Sequence, residues 1–225
     1  LMSQAVSTTR LQLQSSINDV SLVADDVQGL HQLFGRYMPL APLPPIGSSG
    51  LRAGGAFIAT DLVERRRPEL VWCVGGLLPA LWTAYALRRI GGGAVVLEVS
   101  SAQEAAEARA LFASHGLTEW TTVQDSDAVR EGDAGILGQD TEHANRIDFL
   151  IVDDRAARPG TDRLPSSLDL DSVLAKEAVI VVSMTEDPDV QQTLRNWLES
   201  ESRLTVLASP RADVAVLEWD SGLLA

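Results

Sequence analysis

Cysteine is almost absent from this chain, and two classes of architecture go with it. Cys73 is the only cysteine among 225 residues, so neither an intrachain disulfide nor a cysteine-rich zinc site can form. A reducing cytoplasm is the compartment that this usage fits. Lysine is equally scarce: Lys176 stands alone, and every other basic residue is an arginine. Schiff-base chemistry thus has one candidate, and there is no Gly-Lys-Ser/Thr phosphate loop. Positive charge is short as a whole, with 18 basic residues against 31 acidic and a net charge of −13. Such a surface repels a phosphate backbone or an anionic bilayer, so nucleic acid is not expected as a partner. No Gly-x-Ser-x-Gly elbow occurs, and His31, His115 and His143 lack metal-ligand spacing, so no metal site is expected. Long apolar runs are missing too, with one stretch to test. Leu70 to Leu87 carries no charge, but Gly75-Gly76 and Pro79 divide it into a strand, a turn and a helix, so no membrane span is expected.

What is present is ordinary globular composition, 45% hydrophobic and 22% charged, over a length that suits one large domain with an appendage. Residues 4–37 read as one long helix, interrupted by Gly29, with Leu13, Ile17, Val20, Ala24, Val27 and Phe34 along one stripe. Leu22, Val23, Leu30 and Leu33 widen the stripe, and His31 lies at its edge. A helix of this kind either packs on its own domain or pairs with another chain. A proline-rich run from Pro39 to Pro45 and the sequence Gly47-Ser48-Ser49-Gly50 then mark a boundary. The expected organisation is a helical arm at 1–38 that could dimerise, a linker at 39–50, and one domain at 51–225.

Within that domain an amphipathic helix, Ala53 to Arg67, ends in three arginines that suit the negative end of its dipole. Strands are expected at 69–74, 94–99, 118–123, 147–152, 178–183, 204–208 and 214–219. Helices at 79–90, 102–115 and 188–200 alternate with them, and a proline-containing turn separates the last two strands. Alternation of this kind means an α/β fold: a doubly wound, mostly parallel seven-stranded sheet closed by an antiparallel strand pair and preceded by a long helix. Gly91-Gly92-Gly93 follows a helix and reads as a stop, and Gly116 reads as a left-handed cap after His115.

In open α/β sheets ligands bind beyond the carboxyl ends of the strands. Those ends are Cys73 to Leu78, Glu98 to Ser101, Gln124 to Asp127 and Asp153 to Arg155. Glu98 closes an apolar strand, where a carboxylate can accept both hydroxyls of a ribose. The plainer reading, a neighbour of a helix cap made by Ser100 or Ser101, stays open beside it. Asp153 is either a reactive carboxylate or a strand-end acid facing water.

The run from Pro68 through Trp72-Cys73-Val74-Gly75-Gly76-Leu77-Leu78-Pro79 to Arg89, then Gly91 to Glu98, His115-Gly116-Leu117, and Ile147-Asp148-Phe149-Leu150-Ile151-Val152-Asp153, resembles the class I S-adenosylmethionine-dependent methyltransferases. Within that class it is most similar to a bacterial group whose first motif reads Val-Val-Glu-x-Gly-Ser-Gly. The resemblance covers residues 50–219 in element order. It implies S-adenosylmethionine as cofactor, bound over Gly75, Gly76, Glu98 and Asp125, with Asp153 turned toward the acceptor as general base or metal ligand.

Two positions depart from the family pattern. Cys73 stands where the first motif has its acid, and Leu77 where it has its second glycine. A thiol cannot replace a charge-assisted hydrogen bond, and leucine fills space that backbone should leave. These departures imply a weakened methionine half of the site. The functional expectation is a methyltransferase-like protein with an unidentified acceptor. The alternative is an inactive scaffold or dimeric binding module that has lost the cofactor, with the arm making a homodimer or docking a partner protein.

Overall fold

The computed structural model describes residues 2–44, 51–125, 147–153, 173–183, 188–211 and 213–220, without the side chains of residues 2–19, 189 and 211. The Gly-Ser run at 47–50, Ser126, Asp127, His143, Asp154, Arg155 and residues 184–187 lie outside them. In chain order the elements are α1 (Met2–Tyr37), α2 (Ala53–Arg66), β1 (Leu70–Val74), α3 (Leu77–Ile90), β2 (Ala94–Val99), α4 (Ala102–Ser114), β3 (Thr121–Asp125), β4 (Ile147–Val152), β5 (Leu174–Ser183), α5 (Pro188–Ser200), β6 (Leu204–Arg211) and β7 (Val214–Asp220).

The strands form one seven-stranded sheet in the order β3-β2-β1-β4-β5-β7-β6. Neighbours from β3 to β5 run parallel, and β7 runs antiparallel to both β5 and β6. This is the expected doubly wound sheet with its closing antiparallel pair. Side chains alternate across a strand, so β1 serves two cores at once. Val71 and Cys73 face a cluster built with α1, α2, α3 and α4, whereas Trp72 and Val74 face a second cluster that includes Val190 and Trp197 of α5. The uncharged stretch from Leu70 to Leu87 is thereby used up as a buried strand, a turn and a buried helix. Among the described residues no helix is long and apolar enough to cross a membrane.

Three strands differ from expectation, and one of them, β5, begins at Leu174 rather than at 178. Residues 118–120 form a single 3-10 turn, and β3 begins at Thr121, where pairing with Val95 of β2 starts. Gly116 (φ 63°) turns the chain sharply and Trp120 N–H closes back on the Leu117 carbonyl, which leaves no extended backbone before Thr121. At the other edge, Pro210 lies inside β6, which runs to Arg211 with two shifts of register against β7. An edge strand has one unpaired side and tolerates a residue without an N–H.

The long helix is where the pattern misleads most. Among the described side chains the buried face of α1 is Gly29, Leu33 and Tyr37, while Val20, Ala24, Val27 and Phe34 of the expected stripe are exposed, as is His31; Leu13 and Ile17 of that stripe lie outside the described side chains. Gly29 interrupts nothing. A β-carbon there would stand 2.6 Å from the Cα of Gly54, so the glycine is what lets α1 and α2 cross closely. Asp26 completes the crossing. Its carboxylate accepts from the Gly54 N–H at 3.2 Å and pairs with Arg52, so α1 caps an α2 whose own first residues supply no cap. The arginines at the far end of α2 are all engaged: Arg65 with Asp61, Arg66 with Glu218, and Arg67 with the Ile90 carbonyl.

Candidate functional site

Sheet order decides where a ligand can sit. From β1 the chain winds outward through β2 and β3, and β4 returns on the opposite side of β1. The reversal point is the carboxyl end of β1 beside β4, the place where open α/β sheets bind their ligands.

Register brings most of the expected residues to this one edge. Val74, the last residue of β1, is level with Glu98 on one side and Val152 on the other. Glu98 is level with Gln124, and Val99 with Asp125. The Gly75 N–H donates to the Glu98 carbonyl at 3.1 Å, and the Asp153 N–H donates to the Val74 carbonyl at 3.0 Å. Gly75, Gly76, Glu98, Asp125 and Asp153 therefore lie along four adjacent strand ends, with Asp153 and the glycine turn together at the centre.

The turn itself is tight. Gly75 takes φ of 93°, a region that side chains disfavour, and Gly76 caps the first turn of α3. A β-carbon on Gly76 would overlap the Asp153 carboxylate, so the absence of a side chain at 76 is what lets that acid lie over the start of α3. Asp153 is 1% exposed and accepts from the Ser183 hydroxyl at 3.3 Å. The reading of Asp153 as a strand-end acid facing water is thus excluded: it is a buried carboxylate aimed at the turn. Helix N-termini carry partial positive charge, which suits an anion there.

Cys73 lies beneath this turn. Its thiol is fully buried and pushed well up by that burial and, secondarily, by the charge of Asp153, so it stays neutral. The acid missing at position 73 is in this sense opposed by an acid from the next strand. Leu77 is half-buried and packs against the larger core cluster. Glu98 is half-buried at the end of β2, and the cap of α4 is made by Ser101, whose hydroxyl accepts from the Glu104 N–H at 3.2 Å. Glu104 returns to Ser100. The cap is complete without Glu98.

Two features lie beyond the sequence reading. Ser183 reads only as the end of β5, although Val152 and Val182 are level and put it beside Asp153. His115 ends its helix as expected but is also fully buried, with Nδ1 2.7 Å from the Tyr85 hydroxyl. That hydroxyl in turn accepts from the Leu40 N–H at 2.9 Å, tying the segment after α1 to the domain. Neither contact has a local sequence signal, since the partners are 30 and 45 residues apart. Among the described residues no three His, Cys, Asp or Glu side chains converge as a metal site would require.

No family model matches the sequence, and no curated protein matches it. Solved structures do match the fold. A methyltransferase from Geobacter sulfurreducens shares 19% identity over 87% of this chain and 89% of its own, with a TM-score of 0.55. The O-methyltransferase TomG from Streptomyces achromogenes, involved in tomaymycin synthesis and solved with S-adenosylmethionine, shares 18% over 88% and 90%, with a TM-score of 0.56. An O-methyltransferase from Bacillus cereus, solved with S-adenosylhomocysteine, shares 17% over 88% and 90%, with a TM-score of 0.53. The seven-stranded sheet, its closing antiparallel pair and these likenesses agree: the chain has the fold of the class I S-adenosylmethionine-dependent methyltransferases.

Proposed function

We propose that this chain binds S-adenosylmethionine at the β1–β4 edge and transfers its methyl group to an acceptor. The observation that carries the reading is the buried Asp153 carboxylate over the Gly75-Gly76 turn, with Glu98 on the next strand end. The donor set matches the cofactor's chemistry: a ribose diol, an adenine and a methionine tail whose ammonium seeks an anion. Glu98 would accept from the ribose hydroxyls, Asp125 would lie toward the adenine, and Gly75 and Gly76 would let backbone approach the tail. Asp153 supplies negative charge where the tail and the acceptor meet, and Ser183 holds one of its oxygens. When bound, the cofactor supplies an electrophilic methyl group on a sulfonium sulfur. Asp153 is placed to hold the positive end of the donor or to take the acceptor's proton.

One residue favours a second reading. Cys73 cannot supply the charge-assisted hydrogen bond that a carboxylate would, a difference of about 1.5 to 3 kcal/mol. A chain that kept the fold and lost the cofactor would serve as a scaffold. Calorimetric titration with S-adenosylmethionine and S-adenosylhomocysteine separates the two. Binding that weakens by one to two powers of ten in Glu98→Ala supports the enzyme. No heat at millimolar ligand from folded protein supports the scaffold.

A further inference from the structure

Among the described residues eight large apolar side chains are exposed, and six of them belong to α1 or the segment just after it: Val20, Val23, Val27, Phe34, Met38 and Leu40. Val20 is 70% exposed and Val27 65%, whereas Leu33 on the other face is fully buried. The helix is therefore two-sided. Asp26, Gly29, Leu33 and Tyr37 join it to its own domain, and the opposite face exposes Val20, Val23 and Val27, with Phe34 at its end edge-on to Trp82 of α3.

Spacing identifies what such a face fits. Val20, Val27 and Phe34 are seven residues apart, and the sequence continues the same step backward to Leu13 and Val6. A face that repeats every seven residues drifts by about 20° per step on a straight helix, and a left-handed supercoil with a second helix removes that drift. Length agrees with this. At about 1.5 Å per residue α1 is about 54 Å long and α2, its main partner, only about 21 Å, so α1 is more than twice as long as the helix it crosses. An uncovered helix of that length is marginal in water.

We propose that α1 pairs with α1 of a second copy of this chain along the Val20–Val27–Phe34 seam. Valine-rich seams favour two strands, and an uncharged apolar stripe is complementary to itself. A membrane is the poorer occupant, since the chain carries a net charge of −13. A strip about 10 Å wide along about 54 Å of helix gives roughly 1,000 Å² over two copies, at the lower bound of specific interfaces. The dimer is therefore expected to dissociate with a micromolar constant.

Analytical ultracentrifugation of the full chain across micromolar concentrations tests this, with Val20→Glu/Val27→Glu alongside. Both side chains are exposed, so the variant should melt with the wild type's domain transition while its dimer constant rises at least about a hundredfold. A single charge, Val27→Glu, should give an intermediate rise with the fold equally intact. A wild-type chain that stays monomeric at a hundred micromolar, or a dimer indifferent to the two charges, overturns the proposal.

Discussion

The two halves of the strand-end site are built on different terms. At the ends of β2 and β3, on the proposed adenosine side, Glu98 is level with Gln124 and Val99 with Asp125, and the helix cap beside Glu98 is made by Ser101. On the proposed methionine side the first-motif acid is missing. Position 73 is a buried neutral thiol, and the buried carboxylate comes from Asp153, one strand over. A buried carboxylate thus lies at the glycine turn although position 73 is a thiol, because the neighbouring parallel strands end at the same level. Asp153 follows Val152, which is level with Val74, and so arrives at the glycine turn that Cys73 precedes.

Of all single changes, Gly76→Ala should disturb the methionine half most. Its methyl group would collide with the Asp153 carboxylate, so binding of S-adenosylhomocysteine should fall below detection and the melting temperature should drop by several degrees. Binding that survives in a folded variant would place the methionine tail elsewhere. Next in size, Glu98→Ala should weaken the ligand by one to two powers of ten, as loss of a charged acceptor costs about 1.5 to 3 kcal/mol. Adenosine and S-adenosylhomocysteine should lose affinity to the same extent. Smaller again, Cys73→Glu with Leu77→Gly should tighten the complete ligand by up to about tenfold and leave adenosine unchanged, if the new acid finds donors beside Asp153. An acid that instead repels Asp153 would show as a lower melting temperature.

The smallest effect concerns pH and lies outside the site. Burial holds His115 below the ordinary imidazole value of 6.5, the Pro42 carbonyl opposes that, and the charge of Arg88 adds to it. The unfolded chain therefore takes up this proton first as pH falls, and stability is lost on descending below about 6.5. His115→Gln should flatten part of the fall in melting temperature between pH 7 and 5.5. A slope that is unchanged would mean that His115 does not titrate with unfolding.

Much of the fold is legible in periodicity, because each parallel strand is a short apolar run between a glycine or proline signal and a helix. The glycine turn, Glu98 and Asp153 are legible for the same reason: strand ends are local features. What is not legible depends on pairing between distant segments. The buried face of α1 follows from where Gly29 meets Gly54, and no spacing within α1 distinguishes Leu33 from Phe34 beforehand. The Tyr85–His115 contact and the place of Ser183 beside Asp153 likewise arise only when two strands or helices are level. The start of β3 departs from its pattern because β-prone residues 118–120 precede the point at which β2 offers a partner.

Whether Asp153 carries the charge of the methionine half is decided by the ratio of affinities for S-adenosylhomocysteine over adenosine in wild type and Asp153→Asn. Calorimetry gives both constants, and a thermal melt checks that the variant folds. A wild-type ratio of about ten or more is expected, collapsing toward one in Asp153→Asn with adenosine binding unchanged. A ratio near one in the wild type, or a ratio that the substitution leaves intact, would refute that role for Asp153.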